Sequence, residues 1–243
     1  MNAFDNFRPR LSPESLAEAP ALADDPGIPW PAPPVTPGIW VQPAPEAGRA
    51  LLSRIAGSGL PALPPAVCRL RQQPSPFHAD VLLLEVLVRP GVSRIYALGG
   101  DFTAQFDGAS PVLHEINKHA PPLLAELDAV HAYLFYFGNV VCGDDGVFQV
   151  VARLEDVPPF DGGDTVRLIL ARGIEPPVPL ALHDDGAQDV EATMLYSGCL
   201  FRVIFRISPA GLVDIVEDDV LAADLPIGRF TYIGGERQVR PAP

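Results

Sequence analysis

Eleven of the chain's 29 prolines fall within its first 45 residues, and that placement limits what the segment can build. Proline has no amide hydrogen and holds the residue before it in extended conformations, so neither a helix interior nor a central strand fits there. The expectation is an extended, polyproline-like leader over residues 1–45. Both tryptophans of the chain, Trp30 and Trp40, nevertheless lie in this leader, in the run Trp30-Pro-Ala-Pro-Pro-Val-Thr-Pro-Gly-Ile-Trp40. An indole buries on the order of 150–250 Å² when it finds a surface, so the leader should dock. One host is the chain's own domain, which is always at high effective concentration. The other is a partner protein whose aromatic groove accepts the spacings Pro31-x-x-Pro34 and Pro34-x-x-Pro37. Trp30, Pro33, Pro34 and Trp40 are therefore the candidate interaction residues.

After the leader, residues 46–55 read as a short helix with Leu51, Leu52 and Ile55 on one face. Pro61, Pro64, Pro65, Pro74 and Pro76 then mark an irregular connection, so residues 46–77 form a helix plus linker. Residues 78–230 are read as an α+β domain, and residues 231–243 as a C-terminal tail. Within the domain, residues 80–88 and 93–98 form a hairpin about Arg89-Pro-Gly91, extended by residues 102–106. Ser110-Pro111 opens a helix, with serine as cap and proline in the first turn. A second helix, apolar on nearly every face, runs from Leu123 to Val141 and stops at Gly143 in a left-handed conformation.

The remaining pattern is that of strands, at residues 147–154, 165–171 and 178–182. It ends in a hairpin where Phe201, Val203, Phe205 and Ile207 alternate with Arg202, Ile204 and Arg206. If Ile207 faces Val213, then Phe205 faces Ile215, Arg206 faces Asp214 and Arg202 faces Asp218. The architecture expected is a curved antiparallel β-sheet with two consecutive helices packed on one face, preceded by the proline-rich leader. In outline it is similar to small α+β cones of the cystatin or NTF2 type, a likeness of fold alone.

Thirty acids against 17 bases give a net charge of −13. Such a surface opposes nucleic acid and anionic membrane, both of which need clustered cations. Cys68, Cys142 and Cys199 are odd in number and widely spaced, which supports neither a disulfide framework nor a zinc ribbon. The first residues carry no secretory pattern, and the apolar run at residues 81–88 is too short for a bilayer and contains Glu85. The cytoplasm is the expected location.

Candidate chemistry is thin. Asp107, His114 and His131 supply the residue types of an acid–base pair, with Glu115 and His119 nearby. The two-histidine spacing that aims both rings at one zinc is missing, and no metal or cofactor is expected. Cys142 at a helix C-terminus faces the wrong end of the dipole for a thiolate, and Cys199 reads as packing. Nucleophile-elbow and phosphate-loop motifs are lacking, and the acidic clusters read as turns. Tyr133, Tyr136 and Tyr196 are candidates to line an apolar ligand pocket. The reading is a non-enzymatic protein acting through protein contacts or a small apolar ligand pocket. Two alternatives stand beside it: a small α+β-barrel enzyme with a His/Asp pair, and a subunit that docks a partner through its leader. An uncovered aromatic helix face would leave room for a homodimer.

Overall fold

The computed structural model describes residues 20–23, 25–160 and 162–242. Its fold is α+β, with antiparallel sheets and four helices among those residues. The leader contributes β1 (Ala21–Leu22), followed by helix α1 (Pro45–Ala56) and by β2 (Ala66–Val67), which pairs with β1 in parallel. Next come β3 (Arg69–Pro74), β4 (Leu82–Arg89), β5 (Val92–Leu98) and β6 (Thr103–Gln105). Helices α2 (Ser110–His119) and α3 (Leu127–Val140) are consecutive, and short strands β7 (Cys142–Gly143), β8 (Gly146–Val147) and β9 (Gln149–Val151) follow. Helix α4 (Gly163–Gly173) precedes β10 (Val178–Leu182), β11 (Gln188–Tyr196), β12 (Cys199–Ile207) and β13 (Val213–Ala222). The chain closes with β14 (Arg229–Ile233) and β15 (Glu236–Arg240).

The strands divide between two main sheets. The first has the order β14-β15-β5-β4-β3, with β6 also on β5; the second has the order β10-β11-β12-β13, with β9 also on β11. Alternation along β4 and β5 gives the first sheet two apolar faces. Leu82, Leu84, Val86, Tyr96 and Leu98 pack under Leu51, Leu52 and Ile55 of α1. Leu83, Ile95 and Ala97 face α2 and α3, and the far side of α3 meets Val190, Val203 and Phe205 of the second sheet. Helix α3 is thus held between two sheets, which is why its sequence is apolar almost all round. Gly138 permits this closeness, since a Cβ there would lie 2.5 Å from the Phe148 carbonyl. Helix α4 sets Val166 and Leu170 on Leu195 and Leu200 at one end of the second sheet.

Several sequence expectations change. The sheet extends beyond residues 78–230 at both ends: β3 lies in the expected linker, and β15 in the expected tail takes a place between β14 and β5. Both strands are rich in arginine, and the burial of Arg237 with the partial cover of Arg69 and Arg71 conceals the strand pattern. Residues 165–171 are helical rather than extended, because Val166 and Leu170 are one turn apart and only they are buried. The segment 147–154 breaks into β8, β9 and a 3₁₀ turn at Leu154–Asp156. Ser110 is the first helical residue of α2 and not its cap, which is Ala109. Helix α3 covers less than Leu123 to Val141; Val141 is already extended, and Gly143 lies in β7 without a positive φ.

The β12–β13 hairpin keeps its expected pairs Ile207–Val213, Arg206–Asp214 and Phe205–Ile215. A bulge then skips Val216, so Ile204 faces Glu217 and Arg202 faces Asp219 instead of Asp218. The Arg202–Asp219 ion pair closes at 3.0 Å. Among the described residues, no helix is long and apolar enough to cross a membrane.

Candidate functional site

The site begins with a carboxylate in an apolar strand. Glu85 of β4 is fully buried, and a buried carboxylate needs cations and donors to hold its charge. Arg71 Nε of β3 donates to it at 2.7 Å and Ser93 Oγ of β5 at 2.6 Å, while Arg237 Nη1 of β15 lies 3.7 Å away. The arginines are themselves well covered, Arg237 completely. Burial pulls the Arg71 guanidinium below its usual pKa, and Glu85 pulls it back. Two cations share one carboxylate, so the cluster still needs acceptors.

The leader supplies them. Prolines donate no hydrogen bond but keep their carbonyls, so a proline-rich strand is a row of acceptors short of donors. Arg69 Nη1 reaches the Ile28 carbonyl at 3.1 Å, and Arg71 Nη2 the Ala32 carbonyl at 2.9 Å. Arg237 Nη1 reaches the Pro33 carbonyl at 2.7 Å, and Gln73 Nε2 the Pro37 carbonyl at 2.9 Å. The Arg71 guanidinium carbon also sits 4.2 Å from the Trp30 ring centre and 5.7 Å from that of Trp40. Trp40 Nε1 donates to the Thr36 carbonyl at 3.1 Å, and Val41 pairs with Gln72 on the β3 edge. Gly38 has φ of 117°, and a Cβ on it would lie 2.5 Å from the Gln73 amide nitrogen.

Held this way, the leader forms one wall of a groove of 320 Å³. The opposite wall comes from Phe135 and Asn139 of α3, Gln149 and Val150 of β9, and the turn that follows. The apolar part of the lining is proline, valine, alanine and phenylalanine, interrupted by fixed polar groups. Asn139 Oδ1 accepts from Arg237 at 3.1 Å while its Nδ2 donates to the Phe135 carbonyl at 2.9 Å. Gln149 Nε2 is bonded to the Asp156 carbonyl, and Asp156 pairs with the exposed Arg153 at 3.2 Å. Thr36 differs from them: it is only 2% exposed, lines the groove, and among the described residues its hydroxyl has no partner. A second depression, of 380 Å³, is larger and mixed in lining; its half-buried Gln188 donates from Nε2 to the Leu124 carbonyl at 2.8 Å, and none of its lining residues has a buried polar side-chain atom without a partner among the described residues.

The sequence candidates fall in different places. Pro33 and Pro34 line the groove, and Trp30 and Trp40 pin its wall. Asp107 is exposed and accepts from the Ala109 amide at 2.9 Å, turning the chain into α2. His114 and His131 are half-buried, and neither is hydrogen-bonded to a carboxylate. Burial lowers the pKa of His131, with Asp128 opposing. Tyr133 and Tyr136 are sealed in the core between the sheets, away from any groove. Tyr133 belongs to a chain of polar contacts there: His78 Nε2 to Asn117 Oδ1 at 3.0 Å, Asn117 Nδ2 to Tyr133 Oη at 2.7 Å, and Tyr133 Oη to the Gly211 carbonyl at 2.7 Å. Burial brings His78 down to about 4 and raises both tyrosines. Tyr196 stacks on Phe148 at 4.8 Å and borders a cleft of only 20 Å³. Burial pushes the Cys142 thiol up. No three His, Cys, Asp or Glu side chains converge as metal ligands among the described residues.

Sequence reasoning did not single out Arg71, Arg237, Thr36 or Gln149. One signal was available. A lone Glu85 in a run of eight strand residues that is otherwise apolar demands a cation, and the proline-rich leader demands donors. Comparison with known proteins finds no matching family model, no matching curated protein and no matching solved structure, so the site rests on its own geometry.

Proposed function

We propose that the protein is a non-enzymatic, cytoplasmic binding protein that holds a small, mainly apolar molecule in the groove beneath its leader. The observation that carries this reading is the groove itself: 320 Å³ of mainly apolar lining, bordered by a buried Thr36 hydroxyl that no group among the described residues engages. Ligand sites combine such lining with a few placed polar groups, and this volume falls at the lower end of their range. The half-buried Phe135 ring offers a flat apolar surface, and the exposed Arg153 stands at the rim. A ligand carrying one carbonyl or hydroxyl would give Thr36 its missing partner once a small shift of the leader wall uncovers the hydroxyl. The leader's carbonyls are engaged by Arg69, Arg71, Gln73 and Arg237, which supports a role as a wall of the site rather than as a free peptide.

The test is chemical-shift mapping on the full chain titrated with small aromatic amides and esters. Saturable shifts centred on Thr36, Phe135 and Gln149, weakened in Phe135→Ala, support the reading. Shifts scattered over the surface, or gathered at the larger depression by Leu182, overturn it.

A further inference from the structure

Strand β13 ends the second sheet, and among the described residues no strand covers its outer edge. An open edge of ten residues is a template for another chain, and proteins ordinarily blunt such edges. The other edge of this sheet is blunted: β10 has five residues and carries Pro179, which cannot donate to a ladder. The β3 edge of the first sheet is covered by the leader. Along β13, by contrast, Ile215, Val216, Val220 and Leu221 keep between 42% and 59% exposure.

Between these apolar residues stand Asp214, Glu217, Asp218 and Asp219. Among the described residues, only Asp219 of these has an ion-pair partner, Arg202; Arg206, opposite Asp214, is turned to Asp189 at 2.7 Å. Three carboxylates on the strand are thus unpaired. A second copy of the chain does not answer them. Antiparallel self-pairing that sets Glu217 against Asp218 opposes two acids, and each neighbouring register does the same. Like charges directly opposite destabilise a ladder. Carboxylates placed only to repel would leave no reason for four exposed apolar side chains among them. The mixture fits a strand of opposite charge, whose apolar residues meet Ile215 and Val220 while its cations meet the acids.

We propose that the open edge of β13 docks an extended basic segment of a partner protein, one in which arginine or lysine alternates with apolar residues, by adding it as a further strand. Main-chain bonds along the edge hold such a segment, and the carboxylates select its sequence. This surface lies outside the groove under the leader and does not depend on it.

A labelled peptide of alternating arginine and valine, long enough to span β13, is titrated onto the full chain at physiological ionic strength. Fluorescence anisotropy reports binding, and hydrogen exchange reports the β13 amides. The expected result is saturable binding with slowed exchange across residues 213–222. An alternating glutamate–valine peptide should not bind. The triple variant Asp214→Lys, Glu217→Lys, Asp218→Lys, whose positions are all exposed, should lower affinity for the basic peptide at least about tenfold. Circular dichroism verifies that this variant stays folded. The proposal is overturned if the basic peptide does not bind, or if a peptide of the same composition with its arginines in one block binds equally well. It is also overturned if the β13 amides of the free protein become protected as its concentration rises, which would make a second copy the occupant.

Discussion

The two sheets treat charged edge strands in opposite ways. On β3 the charges are Arg69 and Arg71, and the chain supplies their complement: a proline-rich leader whose carbonyls accept from both, and a buried Glu85. On β13 the charges are acids, and among the described residues only Arg202 forms an ion pair with one of them, while Arg206, opposite Asp214, bonds to Asp189 instead. The leader buries Val35, Thr36 and much of two indoles against the first sheet, while the second sheet leaves an apolar and acidic edge open. Charge on a strand edge is therefore no single signal. In one place it fixes a segment of the same polypeptide, and in the other it stands unanswered on the surface.

The comparison breaks most easily at Glu85. Replacing it by alanine leaves Arg71 and Arg237 buried without their anion, and removing one partner of a buried pair costs about 3–5 kcal/mol. Glu85→Ala should lower the unfolding free energy by that amount, read as a lower urea midpoint with an unchanged slope. Its tryptophan emission should also shift to the red at denaturant concentrations where the wild type is folded, since Trp30 and Trp40 are the only indoles and both rest on Arg71. Unchanged stability would mean that the leader is held by its backbone contacts and not by the charge cluster.

Acid should loosen the same half of the molecule. His78 sits in the core beside Phe77 and Tyr133, and burial lowers its pKa from 6.5 to about 4. The unfolded chain therefore takes up this proton first. The stability associated with a neutral His78 is whole above pH 6.5, declines as the pH falls towards 4, and levels off below that. The full decline amounts to about 3 kcal/mol. In His78→Gln that part of the pH dependence should vanish, so the difference between the two stability curves should grow from pH 4 to 6.5 and then stay constant. A difference that is flat throughout would show that His78 binds its proton equally well in the folded and unfolded chains, so that burial does not hold it neutral.

How much was legible follows the same division. The β12–β13 hairpin was readable because apolar and charged residues alternate in both strands, and three expected pairs stand; the bulge at Val216 was not, since skipping one residue leaves no mark on composition. Strand β15 was unreadable because its central Arg237 is buried against Glu85, Asn139 and the Phe230 ring, so its polar sequence looks solvated. Helix α4 looked like a strand because Leu168 and Ile169 are apolar yet exposed, filling the gap between the buried Val166 and Leu170. For the candidate site, Pro33 and Pro34 were visible as an unusual segment, but their facing wall comes from α3 and β9, more than a hundred residues away. Pairings across such distances are decided by tertiary packing and leave no local pattern.

The smallest expected effect isolates the contrast between the sheets, because it uses the same side chain. Glu85 and Glu217 both stand in strands among apolar residues, but Glu85 is enclosed by two arginines and Glu217 is exposed with no ion pair. Reversing an exposed, unpaired charge changes little, because water screens it in both folded and unfolded states. It also relieves some repulsion from Asp214, Asp218 and Asp219 in a chain already at −13. Glu217→Lys should therefore leave the urea midpoint unchanged or slightly raised while the fold stays intact by circular dichroism. A clear loss of stability would mean that Glu217 has a structural partner, and the acids of β13 would then belong with those of the first sheet. An unchanged midpoint would separate the two glutamates: Glu85 is required by the fold, and Glu217 is free to serve something outside it.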